Sequence, residues 1–346
     1  MKIGIVGVGS VGTACLLSAV MRGSAREVVV VNRDRKRALG VVTDIQYGAS
    51  LLPPIAIRDG DYGDLRGASV VMITAGVNEK HGGATDRSDP LGRLRLLQAN
   101  SVIFEDIVPK IHDAAPDSVI LVVSDPPDPL ADVVRSLGHK RVLSTGTYLD
   151  TLRFRFHLAR HLNVSPRDVE ALVLGEHGTS SVFLWSSARV GGRKVLDLFA
   201  EDGSNPEKLS AELEREVRYA NITIIEGTGA SQYGIGMVSA RITEMVLRNE
   251  EAVIPIGCYN SGFGVTLSVP GVVGRGGVHR IFEPEMSDAE RKGLQRSADA
   301  IRAASEHLGP AVHAAIGNRV DVPPRRSLEL TYSRPSSNGE RAIYDY

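Results

Sequence analysis

Residues 2–12 read KIGIVGVGSVG, and this stretch decides the fold. A short apolar run over residues 2–6 leads into Gly7-Val8-Gly9-Ser10-Val11-Gly12, and an amphipathic segment follows over residues 11–21. The pattern predicts a strand, a tight turn and a helix. Gly7 would allow the turn, Gly9 the approach of a pyrophosphate, and Gly12 close packing of helix on strand. The helix N-terminus would then bind the phosphates of a dinucleotide; the competing interpretation is a tight turn without a ligand.

Working outward, short β-branched runs alternate with helical stretches through the first half of the chain. This alternation is typical of a parallel sheet covered by helices on both faces. The second half mixes helical and β-rich segments. Strands are predicted at 2–6, 27–31, 69–74, 118–123, 169–174, 252–256 and 264–273, and helices at 11–21, 91–114, 206–227, 231–249 and 288–307. We therefore predict an α/β fold: a Rossmann doubly wound parallel sheet over 1–146, a C-terminal α+β substrate domain over 147–317, and a polar tail or arm over 318–346.

Composition excludes several classes of function. The chain has 346 residues and a formal net charge of −1, so nucleic acid and anionic membranes are not expected as partners. Its N-terminal apolar run is too short for a signal peptide or a membrane span. Two isolated cysteines, Cys15 and Cys258, support neither a disulfide framework nor a Cys-based metal site. We expect a cytoplasmic protein without a metal.

The end of the second predicted strand bears on the choice of cofactor. In NAD enzymes of this fold an acidic residue there accepts a hydrogen bond from the ribose. Here Asn32 holds that position and Arg33 follows it, with further basic residues at 35–37. The missing carboxylate and the basic cluster predict an NAD(P) cofactor with a preference for NADP(H). Alternatively, the cluster is the solvated start of a helix.

Three segments carry residues suited to catalysis. Residues 146–155 read GTYLDTLRFR, residues 174–178 read LGEHG, and residues 92–97 read GRLRLL. On a helix, Asp150 and Arg153 would share one face. An aspartate beside a histidine orients the imidazole and favours its charged form, and an arginine can clamp a carboxylate through two N–H groups. A second arginine on a mobile loop could polarise a carbonyl.

These motifs, with GVGSVG and the ITAG of residues 73–76, resemble the lactate/malate dehydrogenase family over about residues 1–315. The resemblance implies reversible hydride transfer between a nicotinamide and a 2-hydroxy or 2-oxo acid, in a homodimer or homotetramer. It implies that His177 exchanges the proton and that Asp150 orients it. Arg153 would bind the substrate carboxylate, and Arg93, on the lid loop, would polarise the carbonyl. Matching positions also assign Ser231 to the substrate, and Thr74, Ala75, Gly76, Ser124 and Ile235 to the cofactor.

The chain departs from the family pattern at three places. The lid over residues 77–92 is longer than usual, and the position that selects substrate aligns with Glu79, although Arg87 is also available. Asp125 replaces the asparagine of the family's Ser-Asn-Pro segment. No family counterpart is assigned to the tail. An ionised Asp125 can only accept hydrogen bonds and would repel a substrate carboxylate.

These departures lead us to expect a 2-oxo acid other than simple pyruvate or oxaloacetate. Asp125 would either pair with Arg93 or face a bulkier substrate that brings a donor of its own. Two alternatives remain within the family: a lactate or malate dehydrogenase proper, and an inactive homologue that binds cofactor. An NAD-dependent glycosidase would need a Cys and a His on a metal, and no such pair is evident.

Overall fold

A computed structural model describes residues 1–89, 91–306 and 308, so the predicted tail over 318–346 lies outside the described residues. The described strands are β1 (Lys2–Val6), β2 (Glu27–Val31), β3 (Ala56–Gly60), β4 (Val70–Ile73), β5 (Val119–Val122), β6 (Val142–Ser144), β7 (Val169–Glu170), β8 (Val173–Leu174), β9 (Val182–Phe183), β10 (Arg189–Val190), β11 (Arg193–Lys194), β12 (Ala252–Asn260), β13 (Val265–Gly274) and β14 (Gly277–Ile281). The helices are α1 (Ser10–Arg22), α2 (Arg35–Ala49), α3 (Leu97–Ala114), α4 (Pro127–Ser136), α5 (Tyr148–Leu162), α6 (Val195–Glu201), α7 (Pro206–Arg218), α8 (Ala220–Thr228), α9 (Tyr233–Arg248) and α10 (Asp288–Ser305).

A nine-stranded sheet organises the described residues. Its order is β14-β13-β12-β6-β5-β4-β1-β2-β3. The six strands from β6 to β3 are parallel, and β12, β13 and β14 add antiparallel pairs at one edge. The parallel part has the strand order of a doubly wound dinucleotide-binding sheet. The predicted fold class is confirmed, and the boundaries placed at 146 and 317 stay predictions.

Alternating side chains of the central strands explain why both faces of the sheet are covered. Ile3 and Ile5 of β1 and Val28 of β2 pack into a core with apolar residues of α1, α2 and α9. Val29 and Val31 of β2 point to the opposite face and pack with residues of α3 and α4. A strand buried on both faces carries apolar residues at almost every position, as EVVVV in β2 does.

Helix α9 fixes the second half of the chain against the first. A Cβ on Gly236 would lie 2.7 Å from the backbone carbon of Ala14 in α1, so the two helices approach too closely for a larger residue. Because of this contact, residues 229–235 lie beside the glycine turn of residues 7–12. No helix among the described residues is long and apolar enough to cross a membrane.

Several predicted elements need correction. The predicted strand over 169–174 is two short strands, β7 and β8, and the predicted helix over 206–227 is interrupted at Tyr219 between α7 and α8. A 3-10 turn, Gly92–Leu96, precedes α3 where one helix was predicted. Strands β3 and β6 were not predicted, since RD in β3 and the three-residue length of β6 give no strong apolar run.

Candidate active site

One cavity opens at the carboxyl ends of β1, β4 and β5, the edge where ligands bind in open α/β sheets. It is lined by Gly9, Ser10, Val11, Thr74, Gly76, Val77, Asn78, Glu79, Lys80, Arg93, Val123, Ser124, Asp125, Thr145, Leu149, Arg153, His177, Ile225, Gly229, Ala230, Ser231 and Ile235. The predicted phosphate turn and the predicted catalytic residues therefore meet in a single site.

The glycine turn has the shape expected of a phosphate-binding loop. Gly7 has a φ of 98°, and a Cβ on Gly12 would lie 2.1 Å from the carbonyl oxygen of Gly7. The Thr74 hydroxyl donates to that same oxygen at 2.6 Å. A Cβ on Gly9 would meet nothing within 4 Å, so the N-terminus of α1 faces open space. The residues present fit the pyrophosphate of a dinucleotide.

The polar residues after β2 are largely engaged with the protein itself. The Asn32 side chain accepts from the Val8 N–H at 3.1 Å and donates to the Asp34 carbonyl at 2.9 Å. Arg35 pairs with Asp59 and Asp61, and the Arg37 side chain donates to the Val8 carbonyl at 2.7 Å. Arg33 is exposed. Arg35 and Arg37, two of the basic residues on which the prediction of NADP(H) rests, thus bind groups of the protein itself.

His177, Asp150 and Arg153 form a connected chain of polar groups. His177 Nδ1 lies 2.5 Å from Asp150 Oδ2, and Arg153 donates to Asp150 Oδ1 at 3.0 Å. Helix α5, which begins at Tyr148, places Asp150 and Arg153 on one face, as their spacing of three residues predicted. Burial opposes ionisation of Asp150, but the charges of His177 and Arg153 outweigh it and hold its pKa well below the usual range. Asp150 is therefore an anion that fixes the orientation of the imidazole.

A residue that sequence reasoning missed holds the backbone of His177. Asp128 Oδ2 accepts the His177 N–H at 2.8 Å, and its Oδ1 accepts the Ser144 hydroxyl at 2.5 Å. Burial raises the pKa of Asp128 to about 7, against these hydrogen bonds. Its position in α4, directly after the Ser124-Asp125-Pro126 segment, was the one signal that could have identified it.

The lid places Glu79, and not Arg87, in the cavity. The buried Arg93 donates from Nε to Glu79 Oε1 at 3.2 Å, and Asn221 donates to the same oxygen at 2.8 Å. Arg87 instead makes a two-point ion pair with Glu226 of α8, at 2.6 and 2.9 Å. Asn221 was not predicted, because nothing near it in sequence marks it as part of the site.

Asp125 stands between Arg93 and His177. Its Oδ2 lies 3.5 Å from Arg93 Nε, and its Oδ1 lies 4.0 Å from His177 Nε2. The side chain of Asn100 donates to its backbone carbonyl at 2.6 Å and fixes the loop. Burial raises the pKa of Asp125 to about 6; Arg93 and His177 oppose this rise, and Glu79 and Asp150 add to it.

Most predicted site residues line the cavity, and the others lie behind it. Asp150 contacts the cavity through His177, whereas Gly7, Val8, Gly12, Asn32 and Ala75 form or support the turn. Arg33 does not line the cavity. Residues that line the cavity but were not predicted are Val77, Asn78, Lys80, Val123, Thr145, Leu149, Ile225, Gly229 and Ala230.

Comparison with known proteins gives consistent matches along the chain. Residues 1–142 match the model of the lactate/malate dehydrogenase NAD binding domain, and residues 147–309 match that of the lactate/malate dehydrogenase alpha/beta C-terminal domain. The chain is 41% identical over 320 residues to L-lactate dehydrogenase of Thermus aquaticus, covering 89% of this chain and 100% of that protein. It is 40% identical over 311 residues to that of Deinococcus radiodurans, with the same coverage.

Solved structures agree with these matches. The minor L-lactate dehydrogenase from Enterococcus mundtii, in its ligands-bound form, has a TM-score of 0.81 and 31% identity, covering 89% of this chain and 98% of that one. A lactate dehydrogenase from a Medee basin deep-sea metagenome library has a TM-score of 0.78 and 32% identity, covering 91% and 98%.

Proposed function

The chain belongs to the lactate/malate dehydrogenase family, and we propose that it is an L-lactate dehydrogenase that interconverts pyruvate and L-lactate with NAD. Hydride transfer on 2-hydroxy acids is the activity of an oxidoreductase of this family. The observation that carries the proposal is the connected group Asp150–His177–Arg153, which opens into the same cavity as Arg93. An inactive homologue would have no need to keep these four side chains together.

His177 would act as the acid and base of the reaction. Its Nε2 side faces the cavity while Nδ1 is held by Asp150 at 2.5 Å. The protonated imidazole can give its proton to the keto oxygen during reduction and take it back during oxidation. The nearby carboxylate stabilises the imidazolium form and keeps Nε2 pointed at the substrate.

The two arginines have separate roles in the proposed reaction. Arg153 is largely buried and lines the cavity, so its guanidinium is placed to bind the substrate carboxylate. Arg93 enters from the lid, where it would polarise the substrate carbonyl. Closure of the lid over a bound substrate would also exclude water from the site.

The cofactor would bind along the glycine turn. Bound NADH would supply the hydride. Gly9, Ser10 and Val11 would contact its pyrophosphate, and Thr74, Gly76, Ser124 and Ile235 would lie along the rest of it. The expected preference for NADP(H) has no support: the matching family model is an NAD binding domain, and Arg35 and Arg37 are engaged within the protein.

The expectation of an unusual substrate is also not supported by the relatives, which are named L-lactate dehydrogenases. The structure offers a physical reason. Asp125 lies beside Arg93, the first of the two arrangements considered from the sequence, and Glu79 is held by Arg93 and Asn221. Because Glu79 would repel the second carboxylate of oxaloacetate, this geometry favours pyruvate.

The test is a comparison of substrates by the loss of NADH absorbance. We expect kcat/KM for pyruvate above about 10⁴ M⁻¹s⁻¹ and about 100-fold above that for oxaloacetate. His177→Asn should lower kcat by about 10²–10⁴-fold while NADH still binds. The proposal fails if neither acid is reduced, or if a bulkier 2-oxo acid is reduced at least tenfold better than pyruvate.

A further inference from the structure

The distance between Asp125 and His177 leaves room for one shared oxygen atom. Asp125 Oδ1 and His177 Nε2 are 4.0 Å apart, and both residues line the cavity. A single oxygen can lie at hydrogen-bond distance, about 2.8 Å, from two atoms with this separation. The keto oxygen of the substrate must approach Nε2 to receive its proton. It would therefore also contact Asp125.

With His177 protonated, the charges around Asp125 balance only until a 2-oxo acid binds. Among the described residues, the cavity region holds the carboxylates of Glu79, Asp125 and Asp150 against the guanidinium groups of Arg93 and Arg153 and the imidazolium of His177. Arg153 and His177 both contact Asp150, and Glu79 and Asp125 share the guanidinium of Arg93. Lys80 also lines the cavity, from an exposed position. A bound 2-oxo acid would add one more negative charge.

Of the two carboxylates near Arg93, Asp125 has fewer hydrogen-bond donors around it. Glu79 accepts hydrogen bonds from Arg93 and Asn221 at 3.2 and 2.8 Å. In the part of the chain that the structure describes, no hydrogen bond reaches the carboxylate oxygens of Asp125, which has only the charge contacts with Arg93 and His177. Burial raises the pKa of Asp125 to about 6, so a proton is available near neutral pH.

We propose that Asp125 works as a neutral carboxylic acid that donates a hydrogen bond to the keto oxygen of the substrate, beside the proton donor His177. This inference rests on the proposed function. In the reduction, the hydride from NADH bonds to the carbonyl carbon, and the electron pair of the C=O π bond moves to the oxygen. That oxygen takes the proton from His177 Nε2, while Asp125 keeps its own proton.

The protonation state matters because negative charge grows on the keto oxygen. An ionised Asp125 would repel this charge, whereas the acid form has an O–H donor that stabilises it. The acid form would then do what an asparagine amide does without titrating. Two protons, one on His177 and one on Asp125, must be present for reduction.

The experiment compares pH profiles of kcat/KM for pyruvate reduction in wild type and Asp125→Asn. At high pH, log kcat/KM should fall with a slope of −2 in wild type and −1 in Asp125→Asn. The ratio of variant to wild type should therefore rise tenfold for each pH unit. Asp132→Asn, at another buried carboxyl group that contacts Thr266 and lies outside the cavity, should keep the slope of −2. Equal slopes for wild type and Asp125→Asn would overturn the role of Asp125.

A second measurement uses wild-type enzyme alone and does not depend on the variant. Oxamate, the amide analogue of pyruvate, is added to the NADH complex in weakly buffered solution at high pH, and proton uptake is recorded. Uptake should approach two protons per oxamate bound; uptake of one would overturn the proposal. Absence of pyruvate reduction at every pH would overturn the proposed function and this inference with it, which separates that failure from equal slopes.

The alternative hypothesis is that Asp125 stays ionised and that a positively charged group on the substrate neutralises it. A 2-oxo acid with a guanidinium side chain serves as the probe. If wild type reduces it at high pH with a slope of −1 and a higher kcat/KM than for pyruvate, the substrate supplies the charge and the proposal is wrong. If its slope is −2, as for pyruvate, the proton on Asp125 is required.

Discussion

Replacing Asp150 by asparagine tests the polar chain on which the proposed function depends. Asp150 contacts His177 Nδ1 at 2.5 Å and Arg153 at 3.0 Å, and its side chain is 7% exposed. Asparagine has nearly the same shape and can still accept a hydrogen bond, so the change removes mainly the negative charge. Any effect on turnover then reports the electrostatic contribution of this carboxylate to the imidazolium.

The size of that effect follows from the geometry. With the contacting atoms 2.5 Å apart, the two charges are centred about 4 Å from each other, and an effective dielectric near 20 gives about 4 kcal/mol. Each 1.36 kcal/mol is tenfold in rate, so kcat for pyruvate reduction should fall about 10³-fold. Arg153 loses its partner in the same variant and can give its full charge to the substrate carboxylate. KM should therefore stay constant or fall.

The assay is steady-state oxidation of NADH, with NADH binding followed by fluorescence to show that the cofactor site is intact. Asp132→Asn is the matched control, since it makes the same change at a buried carboxyl group that accepts from Thr266 outside the cavity. It should keep kcat within a few-fold of wild type. If kcat of Asp150→Asn stays within tenfold of wild type, Asp150 does not support the imidazolium and the reasoning is refuted.

Three further predictions concern substrate, cofactor and assembly. Arg153→Leu should raise KM for pyruvate by about 100-fold or more with a smaller loss of kcat, because it removes a buried cation from the carboxylate site; a kcat loss with unchanged KM would contradict this. Wild type should prefer NADH to NADPH in kcat/KM, and Arg33→Ala should change both values equally; a larger loss with NADPH would restore the predicted NADP(H) site. Light scattering at micromolar concentration should show a dimer or a tetramer, since Met21 of α1 and Met237 of α9 are 66% and 63% exposed on two helices that pack together; a monomer would refute it.

The sequence predicted those parts of the site in which all the residues needed for one structural or chemical role lie in one short segment. The turn over residues 7–12 needs glycine at three positions for steric reasons, and the structure shows the positive φ of Gly7 and the crowded Cβ position of Gly12. Asp150 and Arg153 are three residues apart on α5, so helix geometry alone places them on one face. The alternation of strands and helices predicted the parallel sheet in the same way.

Residues whose role depends on contacts between distant segments were not predicted. Asp128 accepts from His177, 49 residues away, and Asn221 reaches Glu79 across 142 residues. Helical periodicity carries no information about such partners. The expected preference for NADP(H) lost support for a similar reason: Arg35 pairs with Asp59 in β3 and with Asp61 directly after that strand. A cluster of like charges in sequence is a basic surface only if the fold brings no acids to it.

The role of Asp125 also depends on contacts that the sequence alone does not reveal. In the sequence it stands where the family has asparagine, and a carboxylate there argues against a simple 2-oxo acid. In the structure it shares Arg93 with Glu79, and desolvation raises its pKa to about 6. The protonation state of an aspartate thus depends on its burial and on the charged groups that the fold places around it. Because a bound 2-oxo acid adds a negative charge to a site where Glu79 and Asp125 share Arg93, a proton on Asp125 would offset that charge, and an aspartate that carries one has the hydrogen-bond donor that asparagine would provide.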